Sequence, residues 1–360
     1  MLIQALMRGD LASHKSDLGT LEHCLLCRSC EAVCPSKVPY GEIITLARDE
    51  IKPKRSKVVE QLMDAVAEPR QMHGMLSKLK FYQKSGMQKL VAKSGFLTGG
   101  FKAAEGMLKF VSAERLQDYY PAKEESQGDV LLFTGCMGES FDQKTVKDAI
   151  FLLNGLGFGV KLNHPASCCG AMHHHNGEVK KGAELKSNTR EVIANIKVDA
   201  VIGLAGSCIA RMNEGDDSTE PLPMIEITNF IATHVDKFHG RFSKAVKRVA
   251  LHQPCPTKNL LNNFDRTIEL LNQIPDIEIL LLPTYGCCGA SGSHMVSDAG
   301  HARKFLIEAV EWLDVERPDL IVSQNMGCML HLTSEMEARN MAFEVVHPLS
   351  LLRRTLPDRL

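Results

Sequence analysis

The spacing of apolar positions changes once along the chain. Up to about residue 128 it is helical: Leu2, Ile3, Leu6 and Met7 share one face of an opening helix that runs to about Asp17. Leu76 and Leu79, then Met107, Phe110 and Val111, mark two or three amphipathic helices between residues 51 and 128. From Val130 onward, short apolar runs alternate with helical stretches. Val130 to Phe133, Phe158 to Leu162 and Ala200 to Leu204 read as strands, with helices over Gln143 to Leu156 and Glu178 to Ile196 between them. The plan then repeats. Strands at Arg248 to Leu251, Glu278 to Leu282 and Leu320 to Val322 enclose helices at Lys258 to Leu271 and Ala302 to Trp312. Strand and helix in alternation imply parallel sheets joined by right-handed crossovers.

The cysteines obey the same repeat. Cys136 to Cys168 and Cys255 to Cys287 are each 32 positions apart, and Cys208 and Cys328 follow the vicinal pairs Cys168-Cys169 and Cys287-Cys288 by 39 and 40. The offset between units is 119 or 120 residues at all four positions, which marks a duplication that gathers thiols. Every one of these cysteines lies just beyond the carboxyl end of an expected strand, where open α/β sheets build their ligand sites. Glycines beside them, among them Gly170 and Gly289, permit tight turns.

A third group of four stands near the start, in Cys24-Leu-Leu-Cys27-Arg-Ser-Cys30-Glu-Ala-Val-Cys34-Pro35. This C-x2-C-x2-C-x3-C-P run is the bacterial ferredoxin pattern, in which thiolates wrap a [4Fe–4S] cube. A zinc knuckle is the competing reading, disfavoured by the triple spacing and the proline. In two-cluster ferredoxins the fourth cysteine of each run serves the other cluster, and one run is present here. Cys34 must therefore either fold back on its own cluster or serve another.

Composition narrows the class. With 42 basic and 43 acidic residues the chain lacks the charge for nucleic-acid binding by bulk electrostatics. No apolar run is long enough to span a membrane, and the first residues lack a secretory pattern, so a reducing, cytoplasmic setting is expected, in which cysteines bind metal rather than pair. Disulfides in the vicinal pairs would leave Cys136, Cys208, Cys255 and Cys328 unexplained. Lys52, Lys54, Arg55 and Lys57 suit either a solvated helical linker, the simpler reading, or contact with an acidic partner or the membrane face. The consecutive His173, His174 and His175 read as a polar loop at a helix start, while His252 and His331 stand close enough to cysteines to tune a cluster or merely to pack. Gly155-Leu-Gly157-Phe-Gly159 follows a helix and precedes a strand, the reverse of a dinucleotide loop. No flavin or nicotinamide site is visible, so a hydride acceptor must come from a partner.

The residues Glu22 to Pro35, His252-Gln-Pro-Cys-Pro256, Gly286-Cys-Cys-Gly289 and Asn325-Met-Gly-Cys-Met-Leu-His-Leu332 resemble the cysteine-rich CCG proteins related to heterodisulfide reductase. Within them, the order of the parts resembles the iron–sulfur subunits of glycolate oxidase (glycolate dehydrogenase). The resemblance implies an α/β chain: an N-terminal α-helical ferredoxin-type module (1–50), a helical linker (51–128) and two duplicated CCG domains (129–235 and 236–360). It implies electron transfer from a partner flavoprotein subunit to a quinone or other acceptor, with substrate oxidised on the partner. The cofactors expected are one or more 4Fe–4S clusters, with zinc or a further Fe–S cluster in the CCG domains. The metal ligands expected are Cys24, Cys27, Cys30, Cys34, Cys136, Cys168, Cys169, Cys208, Cys255, Cys287, Cys288 and Cys328. Other relatives serve anaerobic glycerol-3-phosphate or lactate dehydrogenases. The family carries an upstream ferredoxin run that this chain lacks, so a shortened start is expected. Heterodisulfide reductases place five thiolates in each unit, whereas each unit here offers four. That count favours electron relay over disulfide chemistry, with a zinc scaffold as the non-redox alternative.

Overall fold

The computed structural model describes residues 15–53, 55–87, 114–123, 125–163, 167–215, 222–244, 246–284 and 286–358, with residues 3, 8 and 91. Leu2, Leu6, Met7, Met107, Phe110 and Val111, on which two of the expected helices rest, lie outside the described residues.

Two parallel sheets form the body of the chain. The first contains β1 (Tyr119–Tyr120), β2 (Gly128–Phe133), β3 (Phe158–Leu162), β4 (Ala200–Gly203) and β5 (Met224–Glu226) in the order β1-β3-β2-β4-β5. The second contains β6 (Arg248–His252), β7 (Glu278–Leu281), β8 (Leu320–Ser323) and β9 (Val345–Val346) in the order β7-β6-β8-β9. Apart from the antiparallel edge strand β1, every pairing is parallel. The two orders are the same once β1 is set aside. In each, the chain leaves the central strand to one side (β3 or β7) and then crosses to the other (β4 or β8), creating a topological switch point at the carboxyl end of β2 and of β6.

Strand alternation divides the core. Val130 and Leu132 face one side of β2 and pack with Val160, Ile202, Val249, Leu251, Val322 and Leu352, so the two sheets share a single hydrophobic cluster. Leu131 and Phe133 point the other way, toward Ile193, Ile209 and Met212. The final helix, Pro348–Thr355, closes the shared cluster with Leu349, Leu351 and Leu352.

Two of the expected helices are broken. Residues 258–271 form a short π-helical stretch, Thr257–Leu261, and an α-helix, Phe264–Leu271; Asn262 between them adopts the left-handed region at φ 50, which asparagine tolerates. The stretch 302–312 is divided between Ala299–Lys304 and Ile307–Glu316.

The linker is more than a solvated spacer. Ser56 caps the helix Lys57–Ala67 by accepting from the Val59 N–H at 3.4 Å, and Pro69 opens the next helix, Pro69–Lys84, in its first turn. Val59 and Met63 pack into the second sheet's outer cluster with Leu306 and Leu313. Ala65, Val66, Met72 and Leu76 pack with Phe141 and Leu185 of the first unit. Arg55, from the basic stretch, is engaged by Glu178 and the Asn176 carbonyl. Among the described residues no helix is long and apolar enough to cross a membrane.

Candidate metal centre

Each sheet delivers its cysteines in the same way. Cys136 lies in the helix Gly135–Phe141 directly after β2, Cys168-Cys169 in the turn beyond β3, and Cys208 in the helix Gly206–Asn213 after β4. Cys255 follows β6, Cys287-Cys288 follow β7, and Cys328 lies in the helix Met326–Ala338 after β8. The three turns of each unit therefore meet at its switch point. Cys168 contacts both Cys136 and Cys169, and Cys169 contacts Cys208. In the second unit Cys287 contacts Cys255, and Cys288 contacts Cys287 and Cys328.

The vicinal turns are built alike. Gly170 and Gly289, at φ +75 and +87, each donate their N–H to the sulfur two residues back, Gly170 to Cys168 Sγ and Gly289 to Cys287 Sγ, both at 3.4 Å. Side chains fix the carbonyls of the same turns. Thr189 Oγ1 donates to the Cys168 carbonyl at 2.7 Å, and His331 Nδ1 donates to that of Cys288, also at 2.7 Å. His331 thus positions the turn rather than facing the thiols through this nitrogen.

The ferredoxin-type run lies against this assembly. Asn259 donates to the Cys27 carbonyl (2.8 Å) and to Ser29 Oγ (3.0 Å), while Ser291 Oγ donates to the Leu25 carbonyl at 2.8 Å. Buried Arg48 holds the carbonyls of Leu21, Glu22 and Cys24, and reaches His175 O of the first unit at 2.7 Å. As a result the Cys27 thiol touches Cys287. Cys27, Cys136, Cys168, Cys169, Cys208, Cys255, Cys287, Cys288 and Cys328 all line one cavity of about 810 Å³ between the units. Cys24 faces a smaller cavity of about 260 Å³, Cys30 is exposed, and Cys34 is half-buried beyond the short helix Ser29–Ala32.

Sequence comparison matches a cysteine-rich domain family, CCG, at residues 130–213 and again at 249–333. Both α/β units are CCG cysteine-rich domains. Residues 59–108 match the linker region of glycolate oxidase iron–sulfur subunits. The chain is similar to the probable glycolate oxidase iron–sulfur subunit of Bacillus subtilis, 28% identical over 98% of this chain and 86% of that protein. It is 23% identical to the Escherichia coli glycolate oxidase iron–sulfur subunit over 92% of this chain and 82% of that protein. Lactate utilization protein A 2 of Bacillus cereus is 22% identical over 63% of this chain and 98% of that protein.

The electrostatics of the CCG thiols fit a soft cation. Contact with Cys136 and Cys169, together with burial, pushes Cys168 well above the ordinary thiol range. Contact with Cys169 and burial do the same to Cys208, and contact with Cys287 and burial do so to Cys255 and Cys27. Hydrogen bonds from Cys168 and Cys208 hold Cys169 well below that range instead, so the first unit gathers negative charge at one sulfur among protonated neighbours. A cation that lets the neighbours deprotonate suits such a group, and sulfur donors select iron–sulfur clusters or zinc. The backbone N–H bonds to Cys168 and Cys287 suit thiolates better than thiols.

The histidine triplet forms one helical turn, Ala171–His175, rather than a loop, and the His174 and His175 rings meet edge to face with centroids 6.3 Å apart. His173 is buried toward Glu178, with 3.8 Å between Nε2 and the carboxylate. His174 and His175 line the thiol cavity, and burial lowers them to about 3 and about 4, so both are neutral. His252 is fully buried, with Nδ1 3.0 Å from Ser323 Oγ and a ring nitrogen within 4.8 Å of Cys288 and Cys328 sulfurs. Sequence spacing alone missed Arg48 and Asn259, which carry no metal-ligand signature and act by holding the backbone of the ferredoxin-type run.

Proposed function

We propose that this chain is the iron–sulfur electron-transfer subunit of a flavoprotein 2-hydroxyacid dehydrogenase, with glycolate as first candidate substrate and lactate as second. It would relay electrons from a partner flavin to a quinone or other acceptor, in the cytoplasm or at the inner face of the membrane. The observation that carries the reading is the single cavity faced by nine cysteines from both CCG units and the N-terminal run. The similarity to glycolate oxidase and lactate utilization proteins supports the choice of substrate class.

The twelve cysteines are the proposed ligands. Cys24, Cys27, Cys30 and Cys34 would hold a 4Fe–4S centre, Cys136, Cys168, Cys169 and Cys208 a second centre, and Cys255, Cys287, Cys288 and Cys328 a third. Residues 1–50, 51–128, 129–235 and 236–360 would be the corresponding module, linker and CCG domains. Clusters there supply reversible one-electron capacity, which protein side chains at rest lack. The chain's own part is positional. Gly170 and Gly289 N–H groups stabilise negative sulfur, Thr189 and His331 hold the vicinal turns, and Arg48 and Asn259 keep Cys24 and Cys27 against the CCG units.

The test is anaerobic co-expression with candidate flavoprotein partners. Glycolate should bleach the iron–sulfur absorbance of the complex, and a complex bleached by lactate but not glycolate would reassign the substrate. Bleaching by neither would refute the reading. If a disulfide alone reoxidises the reduced chain, the large thiol cavity is a disulfide site instead. A colourless zinc-filled protein would make it a scaffold.

A further inference from the structure

Away from the thiol cavity, a second set of metal-type donors meets where the N-terminal module touches the second CCG unit. His294 lies in the short helix His294–Ser297 and is 9% exposed. Its Nε2 stands 2.8 Å from Nδ1 of His301, and the two rings are nearly perpendicular, at 86°. Both nitrogens therefore aim at one region. Asp298 lies between them in sequence, and its Oδ1 accepts the His301 backbone N–H at 2.9 Å, capping the helix Ala299–Lys304. Donor atoms of His294, Asp298 and His301 all lie within 4.8 Å of one another. His23, from the N-terminal module, approaches Asp298 Oδ2 to 3.5 Å and stacks on the His301 ring with centroids 4.6 Å apart.

We propose that His294, Asp298 and His301, with His23 as an outer fourth donor, bind one divalent first-row transition-metal ion, zinc foremost, that clamps the N-terminal module to the second CCG unit. Nitrogen and oxygen donors in this ratio suit such an ion, and the set contains no sulfur, which separates it chemically from the thiol centres. Zinc–ligand bonds of about 2.0–2.1 Å place tetrahedral donors ~3.3 Å apart. A small outward turn of either imidazole takes the present 2.8 Å separation to that value. The cap that holds Asp298 orients the carboxylate before any ion arrives. Access is open, since the His23 and Asp298 side chains are 55% and 41% exposed and border the cavity of about 260 Å³. The set belongs to the second unit alone: His175 stands at the place of His294 in the first, but Lys181 or Gly182 falls at the place of His301.

Cobalt titration of the full chain, purified anaerobically with its metal centres filled, tests the site. The expected result is one added equivalent of Co2+ with weak visible d–d bands and no thiolate-to-cobalt charge transfer. His301→Ala should lose that equivalent while iron content is unchanged. Asp298→Asn keeps the helix cap, so a folding defect is not expected; it should weaken cobalt binding by about tenfold or more. Zinc should raise the thermal midpoint of the wild type but not of Asp298→Asn. Equal cobalt uptake by wild type and both variants overturns the proposal. So does cobalt bound with thiolate charge transfer, or the absence of any added equivalent, which would leave a hydrogen-bonded imidazole pair.

Discussion

Replacing the glycine of each vicinal turn by alanine tests how the thiols are gathered. Gly289 sits at φ +87, and an alanine Cβ there would stand 3.0 Å from the carbonyl carbon of Ala302 and closer still to its oxygen. Gly170, at φ +75, would meet Gly182 in the same way, at 2.9 Å from the carbonyl carbon. Two costs add. A left-handed alanine costs about 1–2 kcal/mol. Backbone cannot swing aside as a side chain can, so the turn and the following helix must separate, at about 1–3 kcal/mol for overpacking. Gly289→Ala and Gly170→Ala should therefore each destabilise by roughly 2–5 kcal/mol, a large part of the stability of an ordinary domain. Gly240→Ala separates the two costs, since Gly240 has φ +72 with nothing within 4 Å of the added Cβ, leaving about 1–2 kcal/mol for the backbone alone. Denaturant midpoints of the three variants, with iron bound per chain, form the assay. Because the displaced N–H groups also serve Cys168 and Cys287, the two turn variants should lose iron and Gly240→Ala should not. If Gly289→Ala and Gly240→Ala shift stability equally and keep the same iron, the close packing of turn on helix is irrelevant and the argument fails.

Arg48→Met should free the ferredoxin-type run, because it strands the carbonyls of Leu21, Glu22 and His175 that the guanidinium now holds; at about 1.5–3 kcal/mol for a bond to a charged group, the segment before residue 50 should be cleaved first in limited proteolysis, and wild-type cleavage kinetics would contradict this. His347 is buried, its Nδ1 accepts the Leu349 N–H at 3.2 Å, and burial lowers its pKa to about 3. The folded value lies below the unfolded one of about 6.5, so the stability it contributes is whole above pH 6.5 and is lost as pH falls toward 3. Between pH 6.5 and 5 that amounts to about 2 kcal/mol, and His347→Asn, which can keep the cap, should lose that much less than wild type over the interval in metal-free denaturation; parallel losses would refute the assignment. Chelation of the purified chain should lower its thermal midpoint and release iron, and a midpoint insensitive to chelator would mean that the thiol centres do not support the fold.

What could be read from sequence, and what could not, follows from the range of the interactions involved. Val130 to Phe133 is an unbroken apolar run, as a strand buried on both faces should be, and Phe158 to Leu162 keeps enough apolar residues around the half-buried Lys161 to be legible too, so the thiol repeat fell into register with them. The edge strands Tyr119–Tyr120, Met224–Glu226 and Val345–Val346 span two or three residues, too few for any period to show. Helix breaks at Asn262 and Phe305 depend on single residues and on tertiary packing that outweighs propensity. The gathering of four cysteines within each unit could be inferred, because a parallel sheet with a switch point leaves those turns nowhere else to meet. The contact of Cys27 with Cys287 could not. It depends on Asn259 and Ser291 grasping the backbone of a segment more than two hundred residues away, through an amide and a hydroxyl that resemble any surface pair in sequence. That contact changes the count of thiols on which the choice between relay and disulfide chemistry rested. With Cys27 against Cys287, the second CCG unit's own four thiols meet a fifth from outside it, and all five line the cavity that the first unit's four also face. Cys27 touches the second unit at Cys287, so the two duplicated units, alike in their own turns, differ in their contact with the N-terminal run.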